Sequence, residues 1–260
     1  MESYTVFADI YDEFMDNIPY EKWGEYVHSL LMEKGLNSGT IAELGCGTGI
    51  MTRILAGYGY EMIGIDISED MLTRARETEY EQEMESGILY LLQDMRELEL
   101  AYPVQAIVSL CDSMNYLRDN NELKKVLVRA RDNLVDGGIF IFDMKTEHLY
   151  KDIMGNSSRS DVRDDAVLIW ENEFDDITKD NVYYLTMFIE AYDEEEDNAD
   201  CETSSLYERY EEEHIQHAFD ISEVSALIKE AGLKLLHVYN EGTRMKPDRM
   251  SERVYYICGK

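Results

Sequence analysis

The sequence predicts an α/β fold: a parallel sheet covered by helices on both faces, with an antiparallel β module inserted late in the chain. Three observations carry that expectation. Short, continuous apolar runs alternate with helix-period segments between residues 40 and 144, the pattern of strands buried on both faces. A glycine-rich turn follows directly on the first of those runs. Between residues 161 and 219 the apolar period drops to two within a strongly acidic background, as in strands with one wet face. With 260 residues, 45% of them hydrophobic and 11% aromatic, the chain can bury a sizeable core, which excludes disorder throughout.

The elements follow in order. Tyr4, Phe7, Ala8, Tyr11, Phe14 and Met15 recur at three- and four-residue spacing, on one face of a helix. After Pro19, Trp23, Tyr26, Val27, Leu30 and Leu31 repeat the pattern up to Gly35. These two helices occupy residues 1–37. TIAEL (40–44) is the first strand and residues 48–57 a helix. EMIGID (61–66) is the second strand, and residues 69 to about 84 a helix. ILYLL (88–92) and VQAIVSL (104–110) are the third and fourth strands. Asp119 and Glu122 have the spacing of a capping box and open a helix that runs to Leu134. Asp136-Gly137-Gly138 then turns into IFIFDM (139–144), the fifth strand.

From residue 161 to 220 there are 21 acidic residues against three basic ones, a net of −18. Val167 and Ile169, then Tyr183, Leu185, Met187 and Ile189, alternate with other residues, and YDEEEDNAD (192–200) has the composition of a solvated hairpin tip. Asp220 and Glu223 make a second capping box, with Val224, Leu227, Ile228 and Ala231 on one face and Gly232 as the stop. KLLHVY (234–239) and RVYYIC (253–258) are the closing strands. The main domain is therefore expected over 1–160 and 220–260, interrupted by an acidic β insertion over 161–219.

Lys plus Arg number 24 against 55 Asp plus Glu, a net charge of −31. A field of that sign repels phosphate backbones and anionic lipid, so nucleic acid and membrane are not expected partners, whereas amine-bearing molecules suit it. Four cysteines, Cys46, Cys111, Cys201 and Cys258, lie far apart without a CxxC pair, as in reduced cytoplasmic proteins. No signal-peptide pattern and no run of about 18 apolar residues is present.

The chemistry concentrates in Glu43-Leu44-Gly45-Cys46-Gly47-Thr48-Gly49, between a strand and a helix, where open α/β sheets bind ligands. Glycines there admit a ligand close to the backbone. Asp66, at the end of the second strand, is placed to accept hydrogen bonds from both hydroxyls of a ribose. The dinucleotide fingerprint G-x-G-x-x-G would need glycine at position 50, which is Ile50. The spacing is G-x-G-x-G, with Glu43 just before it. A carboxylate beside a pyrophosphate is costly, but beside a sulfonium or amino group it is favourable.

E-L-G-C-G-T-G followed by G-I-D-I-S resembles the first two motifs of the class I S-adenosylmethionine-dependent methyltransferases. The resemblance extends to Gln93-Asp94-Met95 after the third strand and to Leu110-Cys111-Asp112-Ser113-Met114-Asn115-Tyr116 after the fourth. It covers residues 1–150 and 220–260. More loosely, Tyr11-Asp12, the insertion and YERYEEEH (207–214) resemble bacterial small-molecule methyltransferases, including N-methyltransferases of amino sugars. It implies a Rossmann-like sheet of seven strands, mostly parallel with the last reversed. It implies that Glu43, Gly45, Cys46, Gly47, Thr48 and Gly49 wall the methionine and ribose part of the cofactor. Asp66 would hold the ribose, Ile67 and Met71 would pack near the adenine, and Asp94 and Met95 would meet its rim. Leu110 and Cys111 would face the methionine end, and Tyr11 would close the pocket.

Transfer from a sulfonium needs alignment and exclusion of water more than a fixed triad, and a base only where the acceptor arrives protonated. Asp112, His214 and His217 are the candidate bases; Asn115, Tyr116 and Arg209 are the candidate acceptor contacts. The return strand of the insertion is expected to bring Tyr207, Arg209, Tyr210, Glu213 and His214 towards the pocket rim, with alternation sending Arg209, Glu213 and the residues between them by twos to one face. His214 and His217 lack further Cys or His neighbours, so no metal is expected. The expected activity is methyl transfer to the amine or hydroxyl of a small molecule, on a monomer or homodimer. The alternatives are an NAD-dependent oxidoreductase and a non-catalytic protein that works through its acidic insertion.

Overall fold

In the computed structural model, residues 7–82, 86–191 and 206–260 are described. Tyr4, the expected helix end at residue 84, the acidic tip at 192–200 and Cys201 lie outside them. The chain opens with α1 (Phe7–Phe14) and α2 (Tyr20–Glu33). Strands and helices then alternate: β1 (Thr40–Leu44), α3 (Ile50–Gly57), β2 (Glu61–Asp66), α4 (Glu69–Glu81), β3 (Leu89–Leu92), β4 (Val104–Ser109), α5 (Asn120–Asn133) and β5 (Leu134–Lys145). Four strands follow, β6 (Ser157–Val162), β7 (Ala166–Phe174), β8 (Asp180–Ala191) and β9 (Leu206–His217). The chain closes with α6 (Ile221–Glu230), β10 (Lys234–Asn240) and β11 (Arg253–Gly259).

The main sheet has seven strands in the order β10-β11-β5-β4-β1-β2-β3. β11 runs antiparallel to both neighbours and the other pairings are parallel. The chain therefore winds outward from β1 in both directions, which leaves a crevice at the carboxyl ends of β1 and β4. Alternate side chains of each strand serve different layers. Ala42, Leu44, Phe140 and Phe142 pack with α5 and α6 through Leu123, Leu127, Val224 and Ile228. Ile41, Val108 and Ile141 pack with α2 and α3 through Val27, Leu30, Leu31 and Leu55.

The second sheet is antiparallel, in the order β6-β7-β8-β9. Its inner face carries Leu168, Tyr183, Leu185 and Met187, which pack against Phe7, Ile10 and Phe14 of α1. The N-terminal helix is thus clamped between the inserted sheet and the main domain.

Local differences from the expected elements have physical reasons. The second sheet opens at Ser157 rather than 161, because β6 (SSRSDV) is almost wholly exposed and has no apolar alternation to announce it. In β7, Ala166 and Leu168 face inward while Val167 and Ile169 are half-buried on the other face; a run of five apolar residues does not mark its own register. Helix α3 starts at Ile50, since Gly49 holds a left-handed conformation at φ 77°. At α5, Asp119 caps by accepting from the Asn121 and Glu122 N–H groups, but the Glu122 carboxylate takes the Arg118 N–H, so half of the expected box forms.

Candidate active site

The glycine turn leaves β1 with Gly45, Gly47 and Gly49 at φ 69°, 54° and 77°, a region that disfavours residues with a Cβ. A Cβ on Gly45 would lie 2.6 Å from the Ser113 side chain, and one on Gly49 2.5 Å from the Tyr90 hydroxyl. At Gly47 the nearest neighbour would be the Met71 sulfur at 4.0 Å, so the space beside it is open. The Gly47 N–H donates to Asp66 Oδ2 at 2.8 Å and the Ser68 N–H to Asp66 Oδ1 at 2.9 Å. Asp66 thereby ties the turn to the end of β2 while keeping lone pairs for a ligand.

A cavity of about 590 Å³ lies over this turn. Of the residues nominated for the cofactor, Tyr11, Glu43, Gly45, Cys46, Gly47, Thr48, Asp66, Ile67, Met71, Met95, Leu110 and Cys111 line it. Gly49 instead packs against Tyr90, and Asp94 caps a short 3-10 turn and is paired with Arg96 at 2.6 Å. Tyr20 and Ser113 also line the cavity; Tyr20 has no periodicity or motif that singles it out in sequence, and Ser113 lies in the segment after the fourth strand but is not nominated there. The Tyr11 and Tyr20 hydroxyls meet at 3.3 Å, and the Thr48 hydroxyl donates to Asp12 at 2.6 Å. Helix α1 is therefore latched to the glycine turn.

Glu43, Asp66, Glu69 and Asp70 bring carboxyls to this cavity. Glu43 is buried and accepts from the Thr52 hydroxyl at 2.5 Å. Burial pushes its pKa up to about 8, against the Thr52 hydrogen bond and with help from neighbouring Asp66. Burial also raises Asp66, opposed by the Ser68 and Gly47 N–H groups. A cation arriving here would compensate the lack of solvent around the Glu43 and Asp66 carboxyls. Burial pushes the thiols of Cys46 and Cys111 well above their usual range, which makes both poor nucleophiles.

A second cavity of about 150 Å³ adjoins the first and shares Tyr11, Tyr20, Cys111 and Tyr116 with it. Phe7, Trp23, Trp170 and Tyr183 supply aromatic walls, and Asp112, Lys145, Gln216 and Arg253 the polar ones. Cys111 and Asp112, both at φ 58°, form a consecutive left-handed pair at the junction. Such strain in non-glycine residues gathers at functional sites.

The surroundings of Asp112 are closed. Its carboxylate takes Lys145 Nζ at 2.9 Å, Gln216 Nε2 at 2.7 Å and Arg253 Nη2 at 2.8 Å. Burial raises its pKa, but Lys145 and then Arg253 outweigh burial and hold it below the usual carboxylate range. Arg253 also binds Asp143, which burial pushes up to about 6. Two acids and two bases thus balance within the wall.

His214 is 2% exposed and lines the second cavity. Its Nδ1 lies 3.1 Å from the Tyr116 hydroxyl and its Nε2 3.1 Å from Glu212 Oε2. His217 stands apart: it pairs with Asp180 at 2.9 Å, packs on Phe219, and lines neither cavity. Arg209 is exposed and paired with Glu211, away from both cavities. Glu212, His214 and Gln216 turn inward while Arg209 and Glu213 face outward, so alternation along β9 separates Arg209 and Glu213 from the rim where they were expected. Asn115 is a buried staple: it accepts from the Lys145 N–H and donates to the Lys145 and His217 carbonyls. Tyr116 is the nominated acceptor contact that reaches the cavities.

Comparison with known proteins places this geometry. Residues 41–138 match the family described as a methyltransferase domain. Over 99% of this chain and 97% of the relative, the sequence is 31% identical to YqeM of Bacillus subtilis (strain 168), which carries the name of a methyltransferase. The chain belongs to the class I S-adenosylmethionine-dependent methyltransferases. The crystal structure of an S-adenosylmethionine-dependent methyltransferase from Clostridium acetobutylicum ATCC 824 superposes with a TM-score of 0.81 at 25% identity, covering 99% of each chain. A dTDP-3-amino-3,4,6-trideoxy-alpha-D-glucopyranose N,N-dimethyltransferase of Streptomyces venezuelae is 26% identical over 52% of this chain and 56% of its own. The methyltransferase's cofactor is S-adenosylmethionine, and the residues present suit it. The larger cavity has the room, Gly47 leaves open space where any side chain would intrude, and Glu43 and Asp66 offer carboxyls to a cationic, ribose-bearing molecule. Among the described residues no helix is long and apolar enough to cross a membrane.

Proposed function

We propose that the methyltransferase alkylates the amine or hydroxyl of a small molecule seated in the 150 Å³ cavity, with its cofactor in the 590 Å³ cavity. The observation that carries this reading is the shared boundary: Tyr11, Tyr20, Cys111 and Tyr116 line both spaces. Asp66 is assigned the ribose hydroxyls, Ile67 and Met71 the adenine faces, Met95 its rim, and Leu110 with Cys111 the methionine end. Bound S-adenosylmethionine supplies an electrophilic methyl group on a sulfonium. The chain's own residues do the rest: the aromatic walls orient the acceptor and exclude water. Asp112, saturated by Lys145, Gln216 and Arg253, fixes the cavity wall rather than taking a proton. His214 is the base.

The size and charge of the cavity narrow the acceptor. A space of about 150 Å³ has the volume to hold a molecule the size of benzene. The balanced wall of Asp112, Asp143, Lys145 and Arg253 offers no surplus cation for a diphosphate, and the net charge of −31 opposes one. The acceptor of this chain is therefore assigned as a small amine or phenol, unlike the sugar nucleotide in the name of the Streptomyces relative.

Both tryptophans of the chain, Trp23 and Trp170, line this cavity, so intrinsic fluorescence reports its occupancy. Protein loaded with S-adenosylhomocysteine is titrated with a panel of small amines, phenols and sugar nucleotides, and the same panel is tested for uptake of labelled methyl. Compounds that become methylated should be small and should change the tryptophan emission. Methylation without a change in emission places the acceptor elsewhere, and methylation of a sugar nucleotide overturns the size assignment.

A further inference from the structure

Three polar side chains run from the boundary of the two cavities to the first turn of α1. Tyr116 lines both cavities, and its hydroxyl meets His214 Nδ1 at 3.1 Å. His214 Nε2 meets Glu212 Oε2 at 3.1 Å, both side chains being almost fully buried, at 2% and 3% exposure. The other Glu212 oxygen, Oε1, accepts the N–H of Phe7, the first residue of α1, at 2.9 Å. The rings of Phe7 and Tyr116 meet His214 edge-on at centroid distances of 6.1 Å each.

This chain has a direction. Phe7 N–H can only donate, so Glu212 Oε1 must accept, and a carboxylate presents a second acceptor to His214 Nε2. Nε2 then carries the hydrogen, which leaves Nδ1 with a lone pair facing the Tyr116 hydroxyl. Placing the Glu212 charge at a helix N-terminus favours its ionised form. We propose that Glu212 is a positioning residue that locks His214 as the Nε2–H tautomer, so that Tyr116 is the catalytic residue that meets the acceptor and passes its proton to His214. The proposal rests on the methyl-transfer reading above. As the acceptor nitrogen or oxygen bonds to the methyl carbon, the carbon–sulfur bond breaks and its electrons stay on sulfur as a neutral thioether. The acceptor's proton goes to the Tyr116 oxygen and the phenolic proton to His214 Nδ1. The resulting imidazolium is stabilised by Glu212 and returns its proton to solvent after product leaves.

Tyr116 is nominated in sequence by the segment after the fourth strand, but Glu212 is not nominated for any role. What the sequence offers is the spacing of Glu212, His214 and Gln216 by twos, which puts them on one face of β9.

The test reads the tautomer directly by nitrogen-15 NMR of histidine-labelled protein saturated with S-adenosylhomocysteine. The chain has five histidines, and His214→Gln identifies the signals of that ring by their loss. The wild-type protein should show His214 as the Nε2–H tautomer. In Glu212→Gln the amide oxygen remains with Phe7 N–H, the amide N–H faces Nε2, and the ring should invert to the Nδ1–H tautomer; Glu212→Asp should restore Nε2–H. An Nδ1–H tautomer in the wild-type protein overturns the proposal whatever the variants do, and so does an unchanged tautomer in a folded Glu212→Gln. On an acceptor from the panel, Glu212→Gln should lower kcat about a hundredfold with KM nearly unchanged. Cofactor affinity should stay at the wild-type value; loss of cofactor binding in the wild-type protein would instead sink the methyl-transfer reading itself.

Discussion

Glu43 sits in an environment far from the one its side chain prefers in water. It is the next-to-last residue of β1, fully buried, with its pKa pushed up to about 8 from an ordinary 4.5. Between those values the folded protein binds a proton that the unfolded chain has released. Stability therefore falls as pH rises through that window, by at most about 1.4 kcal/mol per pH unit for one proton. Asp143, raised to about 6, bends the curve the same way over its own narrower range. In Glu43→Gln the decline between pH 6 and pH 8 should flatten in denaturant titrations, with stability at pH 8 equal to or above that of the parent. An unchanged slope would mean that Glu43 is ionised in the folded protein. The strand and glycine motif place this carboxyl in sequence, and charge complementarity suggests a cationic ligand beside it. The Thr52 contact and the depth of burial come from how α3 lies across β1, and nothing local encodes them.

At the scale of elements, what was legible depended on whether an element's neighbours are local. The strands β1, β2, β4 and β5 are buried on both faces and announce themselves as apolar runs. The exposed edge strand β6 does not. Strand β9 shows the limit most clearly: its inward residues are Glu212, His214 and Gln216, so the buried face of the strand is polar and its outer face acidic. Without an apolar stripe the phase of the alternation cannot be fixed, and Arg209 falls on the outside. The glycine turn is the opposite case, since its requirement is conformational. Gly47 holds φ 54° beside open cavity. Gly47→Val adds a branched side chain that disfavours this φ and fills the space beside the turn. It should abolish S-adenosylhomocysteine binding in calorimetry while leaving the thermal unfolding of the main domain cooperative. A folded variant that still binds would move the cofactor away from this turn.

The whole molecule carries −31, of which −18 falls between residues 161 and 220. Self-repulsion of that size opposes compaction, and among the described residues the outer face of the inserted sheet contributes to it. There Glu171 pairs in register with Tyr184, which in turn faces Glu213, and Glu173 and Glu213 both contribute to raising the Tyr184 hydroxyl, after burial. Surface ion pairs such as Arg74–Glu77 and Lys124–Glu230 work the other way under salt, since screening weakens them, but each is worth only about 0–1 kcal/mol. With 55 acidic against 24 basic residues, acids outnumber possible partners, and repulsion decides the sign. Sodium chloride raised from about 20 mM to about 300 mM shortens the screening length from roughly 20 Å to roughly 6 Å. At pH 7.5 the melting temperature should therefore climb by several degrees. Near the sequence pI of about 4.3 the climb should vanish. The triple variant Glu171→Gln, Glu173→Gln, Glu213→Gln should start from a higher melting temperature at low salt and gain less from added salt. A melting temperature that falls with salt at pH 7.5 would show that attractive pairs, not the acidic excess, set the balance in this fold.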